Sequence, residues 1–369
     1  MYIVSKRFDL TFIFGGATAS LAVPFLVMWN PGLLPILFWI WLLVFDGTHL
    51  WAAYSRTYID RQFWRTNKPL LIASPLVFLL PLSAVVLQQL SGSMKPIEIF
   101  LVFAQGWAYY HLVRQHYGFV SLYDRKAGSS RETHLLHKWA LYSGLWIPYL
   151  YFIATHPINR NVAGLPPLEQ SFHQAVTVAA IFLSAIAFIL SFMKAGKNSN
   201  QEPAAVTQAT NSLFTPASSF TGTCILLYSL IFYGIAPREP FWAGAHSVVQ
   251  SFMLLAIMMT LFHNIQYHAI VWHYNRKKYR DESYGWAQRL NRNFPVYGTV
   301  ALIFSSLYVA TAWSSTEYPS LTGRLLTPAF IPAAFCIWWG VLFHHYYLDQ
   351  KIWRFSRTPD LKQQLGMVA

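Results

Sequence analysis

The sequence predicts an all-α, polytopic integral membrane protein, a helical bundle of about ten transmembrane helices. Three observations predict it. Of the 369 residues, 55% are hydrophobic and only 11% charged, against roughly 25% charged in an ordinary soluble domain. The apolar residues gather in runs of about twenty, the length at which a helix crosses the hydrocarbon core. Lys and Arg fall between these runs in an alternating pattern, which is the signature of membrane topology.

The runs cover 9–29, 32–54, 69–90, 96–120, 137–155, 172–194, 218–236, 242–275, 294–313 and 326–348. Lys6 and Arg7 precede the first. No small-residue cleavage site clearly follows it, so it reads as a retained span and not as a signal peptide. The fifth is short and opens near Lys138. The eighth exceeds the hydrocarbon thickness, so its helix should continue past the inner surface. With Arg114 placed inside the fourth run, one side receives 2, 4, 4, 2, 6 and 4 basic residues and the other 0, 1, 1, 1 and 1. Both termini then face the cytoplasm of what reads as a bacterial cytoplasmic membrane. The same bias accounts for most of the net charge of +13, and no nucleic-acid partner is needed. The whole chain reads as one membrane domain. The segment 195–212, rich in Asn, Gln, Ala and Ser, is its flexible cytoplasmic linker. Asp281 to Arg292 should form a short amphipathic helix at the inner surface. Cys224 and Cys336 sit in apolar runs and match no zinc, redox or disulfide pattern, so they are core residues.

Four of the five outside-to-inside helices end on histidines. The second run carries Asp46 and His49. The fourth carries His111 and His116, the eighth His263, His268 and His273, and the tenth His344, His345 and Asp349. His49, His111, His263 and His344 lie at a similar depth, about 23–32 Å from the outer helix ends. Polar groups at membrane depth are costly and by default suggest function. Imidazole is the commonest metal ligand and suits iron, copper and zinc. The metal candidates are therefore His49, His111, His116, His263, His268, His344 and His345. Asp46, Asp349 and His273 are further candidates, as ligands or as groups that orient them. Asp46 and His49 are i,i+3, and His345 and Asp349 i,i+4, so each pair shares a helix face. His111 and His116, like His263 and His268, are i,i+5, about 140° apart on a regular helix. They share a face only across a π-bulge; otherwise one member of each pair is a ligand and the other is not.

The remaining polar residues have plainer readings. His134 and His137 read as solvated loop residues at a helix start, while His156, His173 and His246 lie towards the outer side. Tyr58, Asp60, Trp64 and Arg65 match Tyr347, Asp349, Trp353 and Arg354 in spacing, a pattern that suits interfacial anchoring. Asp60 is expected to pair with Arg61 or Arg65, and Arg56 and Arg114 to snorkel to the inner surface. Gly15, Gly16, Gly47 and Gly106 should permit close helix packing. Trp51, Trp107 and Trp272 read as belt or core, with lining of an apolar slot as the other role.

At the level of pattern the chain resembles the histidine-box membrane oxygenases: fatty-acid desaturases, sterol and carotenoid hydroxylases, and alkane hydroxylases. His111-x4-His116, His263-x4-His268 and the pair His344-His345 carry the resemblance. The HxxHH box is absent, and ten spans exceed the usual four to six. The resemblance implies non-haem iron, usually two ions, at the cytoplasmic ends of the helices. The expected function is a metal-dependent oxidoreductase of hydroxylase, desaturase or oxygenase type. It would act on a lipid or other hydrophobic substrate and draw on a cytoplasmic electron donor. Two alternatives stand beside it: a b-type haem or quinone-linked electron carrier, with two histidines as axial ligands, and a transporter or accessory subunit.

Overall fold

The computed structural model describes residues 1–193, 213–237, 248–316, 330–354 and 360–366. The expected linker 195–212, His246 and the outer ends of the eighth and tenth runs lie outside the described residues. The described residues are 85% helical with no strands.

Among the described residues there are ten long helices: α1 (Lys6–Trp29), α2 (Leu33–Thr57), α3 (Lys68–Ser91), α4 (Lys95–Ala127), α5 (Arg131–Thr155), α6 (Gln170–Leu190), α7 (Pro216–Ile235), α8 (Val248–Lys278), α9 (Phe294–Thr316) and α10 (Phe330–Ile352). Among the described residues seven are long and apolar enough to cross a membrane, which fits a multi-pass membrane protein. The other three, α4, α5 and α10, carry more polar groups. Several of the large apolar side chains that face outward, such as Val102, Val178, Phe182 and Leu307, are what a lipid-facing surface presents.

Local sequence sets the helix ends. Ser130 caps α5 by accepting from the Thr133 amide. Glu169 caps α6 through the amides of Ser171 and Phe172. Thr215 and Ser218 form a capping box ahead of α7, with Pro216 in its first turn, where its missing N–H costs nothing. Gly92 closes α3 at φ 66°, a left-handed conformation that glycine adopts without strain. The expected amphipathic helix at 281–292 is interrupted: a 3-10 turn at Glu282–Tyr284 is followed by a five-residue helix at Trp286–Leu290. Gly285, at φ 56° with ψ −118°, breaks it in two.

Among the described residues three stretches are π-helical: Asp9–Phe14 in α1, Trp41–Asp46 in α2 and Leu230–Ile235 in α7. By contrast, α4 and α8 are regular α-helices through their histidines.

The chain divides into two compact units, one of 1–38 with 112–263 and the other of 39–111 with 264–369. The divisions fall inside α2, α4 and α8. In the first unit α5 packs on α6 and α7, where Gly144 lies against Ile225. In the second, α9 and α10 pack on the inner half of α2 and on each other, and α10 packs on α3. Gly47 of α2 sits against Ser305 of α9, leaving no room for a β-carbon. Gly16 lies close against Phe262 in the first unit. Gly106 has open space around it, so the expectation of close packing there is not met. Trp51 joins a core with Tyr297 and Ala301 against which Trp272 packs, and Trp107 lies against Phe343. Cys224 is buried and Cys336 partly so, both as free thiols.

Candidate metal centre

The second unit brings four of the candidate residues together. One ligand atom each from His49, His111, His345 and Asp349 lies within 4.8 Å of the others, and all four side chains are buried. Three helices supply them. His49 follows the π-helical turn of α2 by three residues; π-bulges recur at functional sites because they re-aim the side chains beyond them. His111 comes from α4. His345 and Asp349 come from one face of α10, four residues apart.

The carboxylate is oriented. Tyr267 of α8 donates its hydroxyl to Asp349 Oδ1. Asp349 Oδ2 lies 3.5 Å from His345 Nε2 and 3.8 Å from His111 Nε2. These separations exceed a normal hydrogen bond. They approach the roughly 3.0–3.4 Å between neighbouring ligand atoms that each sit about 2.1 Å from one ion. The imidazole rings are close, His345 being 4.4 Å from His49 and 5.1 Å from His111 between centroids. His111 is held from behind by the stacked ring of Tyr346. His345 is fully buried, and neither of its ring nitrogens has a hydrogen-bond partner among the described residues. A buried imidazole with neither nitrogen bonded costs about 1–3 kcal/mol per unsatisfied group. A metal ion would accept one of those nitrogens, so the residues present fit a bound metal.

The other candidates in this unit lie around the group. His268 is 6.1 Å from His49 between ring centroids, and its Nε2 is 3.0 Å from the Phe45 carbonyl and 3.1 Å from Thr48 Oγ1. Asp46 receives a long contact from Asn264, at 3.5 Å. His273 is half-buried on α8. His344 points away from His345, as adjacent residues on a helix must. Its Nε2 is 2.7 Å from Ser74 Oγ and 3.1 Å from the Tyr58 hydroxyl, and its Nδ1 is 3.0 Å from the Tyr54 hydroxyl.

His116 and His263 belong to the first unit. His116 Nε2 lies 3.2 Å from the Tyr228 hydroxyl, which itself donates to the Met259 carbonyl. With α4 and α8 regular, each i,i+5 pair is split: His111 and His268 go with the second unit, His116 and His263 with the first.

Three expectations are corrected. His134 and His137 are not loop residues. They lie in the first turns of α5, and both donate to one buried carboxylate, Asp124 of α4. His137 Nδ1 reaches Oδ1 at 2.9 Å, where Ser129 also donates at 3.0 Å, and His134 Nδ1 reaches Oδ2 at 3.0 Å. Burial works to raise the Asp124 carboxyl, but the hydrogen bonds from His137, His134 and Ser129 hold it below its ordinary 3.8. Asp60 pairs with neither Arg61 nor Arg65. It caps the next helical turn through the amides of Gln62 and Phe63, forms a 2.7 Å ion pair with Lys278, and accepts from Tyr279. Arg56 does not snorkel: only 3% exposed, it packs against the rings of Tyr274 and Trp353. Tyr267, the partner of Asp349, was not a candidate from sequence. Its position four residues past His263 was the only signal, and a lone tyrosine in an aromatic-rich helix does not stand out.

No family model matches the chain, and no curated protein or solved structure shows a significant similarity to it.

Proposed function

We propose that the protein is a multi-pass membrane metalloenzyme that oxidises a hydrophobic substrate. His49, His111, His345 and Asp349 would hold the metal. The observation that carries this reading is the convergence of three imidazoles and one carboxylate, all buried, within 4.8 Å. Imidazole and carboxylate without thiolate suit iron among the redox metals, and histidine–carboxylate sets are the ligands of non-haem iron oxygenases. A haem needs two imidazoles on opposite sides of its plane. A third imidazole and a carboxylate in the same small volume favour a bare ion over a macrocycle.

Bound there, iron would supply dioxygen activation. The chain's own residues do the rest. Tyr267 fixes Asp349 so that one oxygen faces the imidazoles, the role that groups behind a ligand play at metal sites. Tyr346 fixes the plane of His111. Burial excludes bulk water. In a hydroxylation, a substrate C–H bond breaks and a C–O bond forms. The second oxygen atom leaves as water, using two protons and two electrons from an external one-electron donor. That donor would dock on the basic cytoplasmic ends of the helices. Desaturation or chain cleavage belongs to the same class of chemistry.

Lipid extracts from otherwise identical cells producing wild type or His345→Ala, compared by mass spectrometry, test the reading. A product 16 or 2 mass units away from its precursor, present only with wild type, is expected. Identical extracts, with both proteins folded and supplied with iron and reductant, contradict it.

A further inference from the structure

Arg56 and His49 are seven residues apart on α2, so they share a face about two turns, or ~10 Å, apart along the axis. The other walls repeat this spacing. Tyr267 and Tyr274 are seven residues apart on α8, and Trp353 follows Asp349 by four at the end of α10. Beyond the four-residue metal group, the faces of α2 and α8 and the end of α10 therefore build a second constellation. Its centre is the Arg56 guanidinium, 4.0 Å from the Tyr274 ring centroid and 4.1 Å from that of Trp353.

Two aromatic rings thus pack against the guanidinium, their own centroids 6.3 Å apart, and its N–H groups remain to bond. Nε and Nη1 are buried and have no hydrogen-bond partner among the described residues. Each fork of a guanidinium contains one of these two atoms, so no protein carboxylate engages Arg56 bidentately. The acids nearby are committed elsewhere. Asp60 holds Lys278 at 2.7 Å and two backbone amides, and Asp349 faces His111, His345 and Tyr267. The Tyr274 hydroxyl is also buried without a partner among the described residues. A guanidinium stays charged at any pH a protein meets; the Asp349 carboxylate acts on this charge through space, but buried donors left unbonded are unfavourable. Stacking on two aromatic rings offsets part of that cost but leaves the N–H donors unused.

We propose that Arg56, flanked by Tyr274 and Trp353, is an oxyanion-binding site that takes the charged head of an amphiphile. The guanidinium edge receives two oxygens of a carboxylate or phosphate, the geometry for which arginine is suited, and the Tyr274 hydroxyl donates to the same group. A free inorganic anion offers the same chemistry and is the other source. The site rests on the guanidinium and not on the metal reading, so it is measured on protein stripped of metal.

The probes are palmitate, hexadecyl phosphate, hexadecanol and inorganic phosphate, titrated by calorimetry into the full chain in dodecyl maltoside. The expected result is that at least one charged amphiphile binds ten times or more tighter than hexadecanol. Arg56→Gln should abolish that preference while leaving hexadecanol binding unchanged. Arg56→Lys keeps the charge without the fork and should fall between. Saturable binding of inorganic phosphate, lost in Arg56→Gln, would support the site with a free anion as occupant. If Arg56→Gln does not fold, the comparison of probes on wild type still decides. Equal affinity for charged and uncharged chains together with no phosphate binding would overturn the proposal, as would a preference for charge that survives in folded Arg56→Gln.

Discussion

Each unit of this protein gathers imidazoles around one buried aspartate, and the two gatherings differ in one respect. In the first unit Asp124 accepts from His137 and His134 at 2.9 and 3.0 Å, with Ser129 completing the set. In the second, Asp349 faces His345 and His111 at 3.5 and 3.8 Å, and both ring nitrogens of His345 lack a hydrogen-bond partner among the described residues. The first is a closed hydrogen-bonded clamp between α4 and α5 that asks nothing further of its surroundings. The second has the composition of a ligand set and the spacing of one, and its His345 has too little hydrogen bonding to explain its burial. Residue type alone does not separate them; satisfaction does.

The largest effect expected from this difference is on metal content. Asp349→Ala or His345→Ala should lower bound metal at least tenfold, measured by mass spectrometry of protein made without a metal-affinity tag. His137→Ala should leave the metal in place. Equal losses from both units would erase the distinction.

Stability should respond in the opposite sense. Asp124→Asn weakens hydrogen bonds to a buried carboxylate, each worth about 1.5–3 kcal/mol, and should lower the thermal midpoint in detergent clearly. In metal-stripped protein His345→Phe should cost less than that, because it removes polar atoms that had no partner. A larger cost for His345→Phe would mean that the second unit is held together by these side chains as they stand.

A pH titration sharpens the same point. The Asp124 carboxyl is held below its ordinary 3.8 in the folded chain. Its contribution to stability is therefore complete above that value and is lost as pH falls through the lower folded one. Wild type should lose a stability increment below pH 3.8 that Asp124→Asn does not have, seen as convergence of their thermal midpoints. Parallel curves would contradict the assignment.

The smallest effect is expected at His344. Its hydrogen bonds to Ser74, Tyr58 and Tyr54 are worth about 1 kcal/mol each, so His344→Gln should cost a few kcal/mol at most and keep the metal. Loss of metal in that variant would place His344 among the ligands.

Much of this was legible in the sequence. The apolar runs located the helices, because a membrane-length helix needs little besides continuous apolar residues. The i,i+4 spacing put His345 and Asp349 on one face, and the i,i+5 spacing required His111 and His116 to part, as did His263 and His268. What the sequence withheld depends on neighbours distant along the chain. His137 read as solvated, yet the start of α5 buries it against Asp124 of α4. Arg56 looked like a snorkelling residue until Tyr274 and Trp353 enclosed it. The match between Tyr58–Arg65 and Tyr347–Arg354 suggested equivalent anchors, yet Asp60 caps a helix and pairs with Lys278, whereas Asp349 joins the histidines. One spacing pattern serves two roles because spacing fixes a helix face and not what that face meets. Composition cannot place a π-bulge either: α4 and α8 are regular through their histidines, and one of the π-helical stretches, Trp41–Asp46, lies one turn before His49.

The central claim is that His49, His111, His345 and Asp349 hold a metal ion. It is tested most directly by elemental analysis and an absorption spectrum of the purified full chain, wild type beside His345→Ala. One or two irons per wild-type chain, no Soret band, and a tenfold or greater loss in the variant are predicted. Folded wild type with no stoichiometric metal after iron has been supplied, or a variant that retains as much metal as wild type, would contradict it.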